Sequence, residues 1–324
     1  LAPKQRAPST AVYLEHANHN GFNSILGRDP FGAPDRRACA TLLDPEAQRA
    51  WLEDYTADFL TTLFSHDPAA VRSATMRMGT FAFDPAPSQL YGLDAHVAAL
   101  APAKNRQPLF VPASDKEFAT SPAGGSVTAE GIRTTFCPDG WYSSLSMPGT
   151  EACRRNTVTV PGQPAHAVVE WDKPGGALRI ALPKGVGLLN FFDAISLRAA
   201  VDPLSPLNQA GNAQGLSVRL TDGAGKTAVL HTRADEPALQ FPDGNTMDDT
   251  TFGPIFTGLA PLITIRFPIQ DFKGVNLMDI TEVAVLFDGA PTGALFLGDV
   301  ELLRSPVGSR ETLVLWGDGR FALP

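Results

Sequence analysis

"ITIRFPIQDFKGVNLMDITEVAVLFDGAPTGALFLGDVELL", residues 263–303, is the stretch on which the fold turns. Ile263, Ile265 and Phe267 alternate with Thr264, Arg266 and Pro268, the two-residue period of a strand with one buried face. The segments "ITEVAVLFD" and "GALFLGDVELL" are instead apolar on both faces, as expected of strands in the middle of covered sheets. Upstream, "GLSVRLTDGAGKTAVLHTR" (215–233) sets Leu216, Val218 and Leu220 against Ser217, Arg219 and Thr221, then runs through a Gly-rich turn into a second strand, which predicts a hairpin. From about Pro108 onward the chain is a succession of short strands with frequent Gly and Pro turns and almost no helical periodicity. The pattern predicts a β-sandwich of jelly-roll type over residues 106–324.

Residues 1–105 follow a different period. In "DPEAQRAWLEDYTADFLTTLF", Asp44 is placed to cap a helix with proline at its first position, and Trp51, Tyr55, Phe59 and Leu63 recur every fourth residue, with Leu52 and Leu60 alongside. "HDPAAVRSA" repeats the Asp-Pro start, and "FDPAPSQLYG" and "LAPAKNRQP" read as loop and linker.

The 324 residues suffice for two domains with separate cores. A formal charge of −8, without a stripe of Lys and Arg, argues against a nucleic-acid partner. No apolar run has the length of a membrane span. The sequence begins with Leu and shows no leader pattern, so the expectation is that a leader has been removed or that this is the later part of a longer polypeptide. Of the three cysteines, Cys137 and Cys153 flank a loop that a disulfide would close. Cys39 is left over, either a buried small hydrophobe or the partner of a cysteine elsewhere.

The apolar run Ala11–Leu14 ends in "EHANHNGFN", followed by Cys39 and the long helix. This layout resembles the closing segment of secreted bacterial serine hydrolases of the α/β-hydrolase superfamily, in which a Gly-Ala-Asn-His-Asn type of loop carries the catalytic base and a last helix packs on a parallel sheet. The resemblance implies that His19 is the base that deprotonates a serine nucleophile, in attack on an ester or related acyl bond. His16 stands where a glycine would be usual. His19 also has a plain alternative as a loop or core histidine, and His16 is taken as structural. No Gly-x-Ser-x-Gly occurs: "GGSVT", "GLSVR" and "GSRET" all lack the last glycine. On the resemblance, nucleophile and acid lie in a missing segment or separate chain. Residues 1–105 are then the tail of an α/β-hydrolase domain, and Cys39 is a candidate for a disulfide to that missing part.

More weakly, the stretch 263–303 with "ISLRAAVDP" and "LSVRLTDGAGK" resembles the jelly-roll modules appended to secreted hydrolases and the carbohydrate-binding modules. That resemblance implies a glycan as ligand, for which Trp171, Trp141 and Tyr142 are candidate platforms, each with a packing role as the alternative. Asp299 sits where such modules place a ligand of a structural calcium ion, the alternative being a strand-end turn aspartate. No cofactor is required. His66, His96, His166 and His231 carry no motif. The expectation is thus an α/β-hydrolase fragment plus an all-β jelly roll, β-dominated overall, secreted or in the cell envelope. Its function is that of the His-bearing part of a serine hydrolase, with a non-catalytic envelope or carbohydrate-binding protein as the alternative.

Overall fold

The computed structural model describes residues 7–25, 42–80, 85–112, 118–137, 165–203, 205–241 and 261–304. Its first unit comprises β1 (Ser9–Leu14), α1 (Pro45–Phe64), α2 (Pro68–Arg77), β2 (Gln89–Leu90) and β3 (Leu93–Leu100). Asp44 Oδ1 accepts from the N–H groups of Glu46 and Ala47 and starts α1, and Asp67 does the same for α2 through Ala69 N–H. The two-residue turn between β2 and β3 places both Tyr91 (φ 51°) and Gly92 (φ 79°) in the left-handed region, the geometry that matches the twist of a hairpin. Asp58 on α1 joins the pieces. It accepts from Arg77 of α2 (2.5 and 2.8 Å) and from the Tyr91 hydroxyl (2.7 Å), and the Arg77 hydrogen bonds hold its carboxyl below the usual range.

The sheet of this unit has the order β1-β3-β2, and β1 pairs antiparallel with β3. The sequence pointed instead to the last strand of a parallel sheet; among the described residues no parallel neighbour exists, and β1 is an edge strand. Its core is small: Leu14, Trp51, Leu90, Ala95 and Val97. The helix stripe is only partly buried. Trp51 is covered and donates its Nε1–H to Leu90 C=O, whereas Leu52, Leu60 and Phe64 are exposed.

The remaining strands are β4 (Arg106–Phe110), β5 (Val127–Glu130), β6 (Arg133–Cys137), β7 (His166–Trp171), β8 (Gly176–Ala181), β9 (Ala194–Val201), β10 (Ser217–Asp222), β11 (Thr227–His231), β12 (Ile263–Pro268), β13 (Ile280–Phe287) and β14 (Gly293–Leu303). They form a two-sheet antiparallel sandwich: a five-stranded sheet, β11-β10-β13-β8-β5, against a six-stranded one, β12-β9-β14-β7-β6, with β4 also paired to β14. From β7 to β10 and from β11 to β14 each strand crosses to the opposite sheet, the connectivity of a jelly roll. β13 and β14 lie in the middle of their sheets, as their continuous apolar sequences require.

β14 contains a bulge between Leu297 and Val300. Before it Leu295 and Leu297 face the inter-sheet core; after it Val300 and Leu302 do so, because the extra residue restores the phase of the pleat. Asp299 therefore lies inside a strand, not in a strand-end turn. The two units meet where β3 crosses β12: Ala99 N–H donates to Thr264 Oγ1 (2.8 Å), and Arg266 Nη2 donates to Gly79 C=O (2.6 Å).

Candidate functional site

The histidine-bearing loop follows β1 directly. His16 has φ 58°, so the position where glycine was expected does hold a left-handed backbone, and an L-residue occupies it under strain. His19 opens a single 3-10 turn, His19–Phe22, capped by Asn18, whose Oδ1 accepts from Gly21 N–H (2.7 Å). Gln48 on α1, fully buried, clamps this turn. Its Oε1 accepts from Asn18 N–H and its Nε2 donates to Asn18 C=O, both at 3.1 Å. Arg49 adds a bond to Gly21 C=O, and Leu43 N–H donates to His16 C=O. A Cβ at Gly21 would collide with the Gln48 amide and push it out of its two hydrogen bonds to Asn18.

Beside the loop, Glu15 Oε1 meets His96 Nε2 at 2.5 Å and its Oε2 lies 3.9 Å from His16 Nε2, while Tyr13 stacks on His96. His96, which has no sequence motif, thus pins the end of β1 to β3. A shallow groove of about 370 Å³ runs between β1 and α1. Val12, Leu14, Trp51 and Tyr55 line it, together with Ala17 and Phe22 from the histidine loop. Glu15 N–H donates to Asp94 C=O; strand alternation then turns the backbone groups of Thr10 and Val12 outward, away from β3.

The sandwich has one covered and one open face. On the outer side of the six-stranded sheet His166, Val168, Ser196, Arg198, Thr264 and Phe296 are all buried. Asp299 belongs to this covered side. Its Oδ2 lies 2.6 Å from Arg198 Nη2, and Glu301 lies 3.5 Å from Arg106. Burial and the Asp299 charge push the Glu301 carboxyl up to about 7. Among the described residues no three His, Cys, Asp or Glu side chains converge in a metal-binding group.

On the open face of the five-stranded sheet a row of charges crosses four strands. Glu130 (β5) accepts from Arg179 (β8) at 3.0 Å, Arg179 donates to Glu282 (β13) at 2.7 Å, and Arg219 (β10) donates to Glu282 at 3.1 Å. At the end of this face Ser217, His231 and Asp288 come together. Ser217 Oγ is 2.8 Å from both Asp288 oxygens and 2.6 Å from His231 Nδ1. This is not a nucleophilic triad. The serine, fully buried, stands between the other two, whereas a triad needs the imidazole in the middle and the hydroxyl exposed.

Trp171 belongs to the core and not to a sugar platform: it is 1% exposed, packs on Phe287 and donates Nε1–H to Ala290 C=O. Cys137, buried at the end of β6, is disulfide-bonded. Its expected partner Cys153 lies outside the described residues, as do Cys39, Trp141 and Tyr142. Gln48, His96 and the Ser217 cluster had no sequence signal beyond residue type, since their partners lie in distant parts of the chain.

No family model matches the sequence, and no curated protein does. Solved structures overlap it loosely. A family 11 carbohydrate-binding module from Clostridium thermocellum, in complex with a β-1,3-1,4-mixed-linked tetrasaccharide, is 10% identical with a TM-score of 0.31, over 56% of this chain and 89% of that one. An agarase gives 11% and 0.32 over 61% and 26%. The K2 cleaved adhesin domain of Lys-gingipain gives 11% and 0.34 over 62% and 98%. Likenesses at this level assign neither ligand nor activity.

Proposed function

We propose that this chain is a non-catalytic, glycan-binding part of an exported protein, and that the open face of the five-stranded sheet is its binding surface. The observation that carries this is the asymmetry of the sandwich. One outer face is buried, while the other presents the row Glu130, Arg179, Glu282 and Arg219 to solvent. Hydroxyl groups of sugars both donate and accept, and alternating guanidinium and carboxylate groups, already oriented by one another, offer both roles in fixed positions. The disulfide at Cys137 supports an oxidising, extracytoplasmic setting. Affinity electrophoresis of the whole chain through gels containing soluble β-glucan, xylan or galactan tests the proposal. Retardation that disappears in Arg179→Ala/Arg219→Ala supports it; equal mobility in every gel overturns it.

A second reading, the acyl hydrolase with His19 as general base, is favoured by one specific observation. The turn that bears His19 is clamped by Gln48 beside an apolar groove of a size to take an acyl chain, and among the described residues the adjoining strand has no partner on its outer edge. Serine and acid would come from outside this sequence, and Cys39 would tether that part. Intact-mass measurement of native material for a second chain bearing Gly-x-Ser-x-Gly is the first test. The second is turnover of a chromogenic ester by the complete protein, which His19→Ala should cut by about 10³ or more. Unchanged turnover removes His19 from that role.

A further inference from the structure

Ser217 Oγ carries one proton and faces three acceptor-capable atoms: both carboxylate oxygens of Asp288 and Nδ1 of His231. A serine proton given to His231 would leave an ionised carboxylate lone pair to lone pair with the same oxygen at 2.8 Å. The stable arrangement gives the serine proton to Asp288 and has the hydroxyl oxygen accept from Nδ1–H. Neutral His231 is thereby fixed with its proton on Nδ1 and a bare lone pair on Nε2. That is the reverse of the tautomer a free imidazole prefers.

The scaffold around these residues is tight. Ser217 and His231 are direct cross-strand partners, and Leu216 and Thr232 exchange hydrogen bonds next to them. Gly289 lies so close to the Gly215 backbone that it leaves no room for a Cβ, and Gly289 N–H donates to Gly215 C=O, which brings Asp288 against β10. His231 and Asp288 are both exposed, and Nε2 makes no hydrogen bond among the described residues.

From this geometry we infer that His231 and Asp288 form a hydroxyl-reading subsite on the open sheet face, in which Nε2 and the outer carboxylate lone pairs accept protons from separate hydroxyls of one bound glycan. Ser217 is a positioning residue that never touches the ligand. Two outward acceptors call for a ligand that donates. Because Nδ1 faces Ser217, Nε2 points away from that hydroxyl, and two separated acceptors suit hydroxyls several ångström apart on a sugar ring. The inference rests on the glycan-binding reading above.

The test is long-range ¹H–¹⁵N NMR on the histidine-labelled whole chain at pH 8, followed by titration with the polysaccharide fragment that retards it. Wild type should show the Nδ1–H form, and Ser217→Ala should revert it. His231→Ala and Ser217→Ala should each weaken binding about tenfold, one hydrogen bond's worth at the upper end. An Nε2–H tautomer in wild type overturns the inference at once. Glycan binding with an unmoved His231 signal and unaltered affinity in His231→Ala overturns it while leaving glycan binding intact. Absence of binding to every glycan overturns both. Zinc ion shifting Nε2 at micromolar concentration replaces the hydroxyl ligand by a metal.

Discussion

Gln48 and Asn18 hold each other twice, side-chain amide to backbone amide, at 3.1 Å in each direction. The pair lies 30 residues apart in sequence and ties the turn that follows β1 to α1. A buried amide with both its groups used in this way cannot be replaced cheaply. Gln48→Ala should destabilise the first unit by about 1–3 kcal/mol, the cost of leaving backbone donors and acceptors unpaired. It should also speed hydrogen exchange at Asn18 and Gly21. Protection at those two amides equal to wild type would show that the clamp is not what orders the loop.

Glu236 gives a pH signature. It is buried, its Oε1 has no hydrogen-bond partner among the described residues, and burial raises its carboxyl to about 7. Its folded value exceeds its unfolded one, so the folded state binds the proton more tightly. The stabilisation is complete below the unfolded carboxylate value, about 4.3, and is lost as pH rises to about 7. Thermal midpoints should therefore decline across that window, and Glu236→Gln should flatten the decline. A wild-type midpoint that rises from pH 5 to 7 to the same extent in both proteins would contradict this.

Arg198 and Asp299 should fail together. Arg198→Met leaves the Asp299 carboxylate buried without its partner, at a cost of about 3–5 kcal/mol. Because that guanidinium already neutralises Asp299, a chelator should leave the melting temperature of wild type unchanged. A fall on adding EDTA, restored by calcium, would give Asp299 back to a metal.

Trp171→Phe separates packing from recognition. The variant strands Ala290 C=O and loosens contact with Phe287, so stability should drop by about 1–3 kcal/mol. Retardation in the glycan gels should persist. Loss of retardation without loss of stability would return this indole to the ligand.

The legible parts of this chain were those written locally. Asp44-Pro45 and Asp67-Pro68 announced both helices through capping chemistry contained in four residues, and the alternation from Leu216 to Thr221 announced the β10–β11 hairpin. The bulge in β14 was hidden because Leu295, Leu297, Val300 and Leu302 break the two-residue count, and the break reads equally well as a strand apolar on both faces. Leu52 and Leu60 satisfied the helical period yet remain exposed, since periodicity shows which residues share a face and not what covers it. Trp171 could serve packing or stacking alike until Ala290 and Phe287 were seen around it. The partnership of Ser217 with Asp288 spans 71 residues, and no spacing rule reaches that far.

The position of β14 bears on how the chain folds as it is made. Among the described residues β14 alone links β9 on one side to β7 and β4 on the other, and β4, at Arg106–Phe110, must wait for residues 300–303. Until β14 leaves the ribosome, the six-stranded sheet exists only as detached ribbons with unpaired edges. Pairings between strands so distant in sequence form slowly, and half-built sheets are prone to aggregate. Closure of this sheet therefore waits for β14, and a chaperone that shields β7 and β9 until β14 is available would raise the yield of native protein.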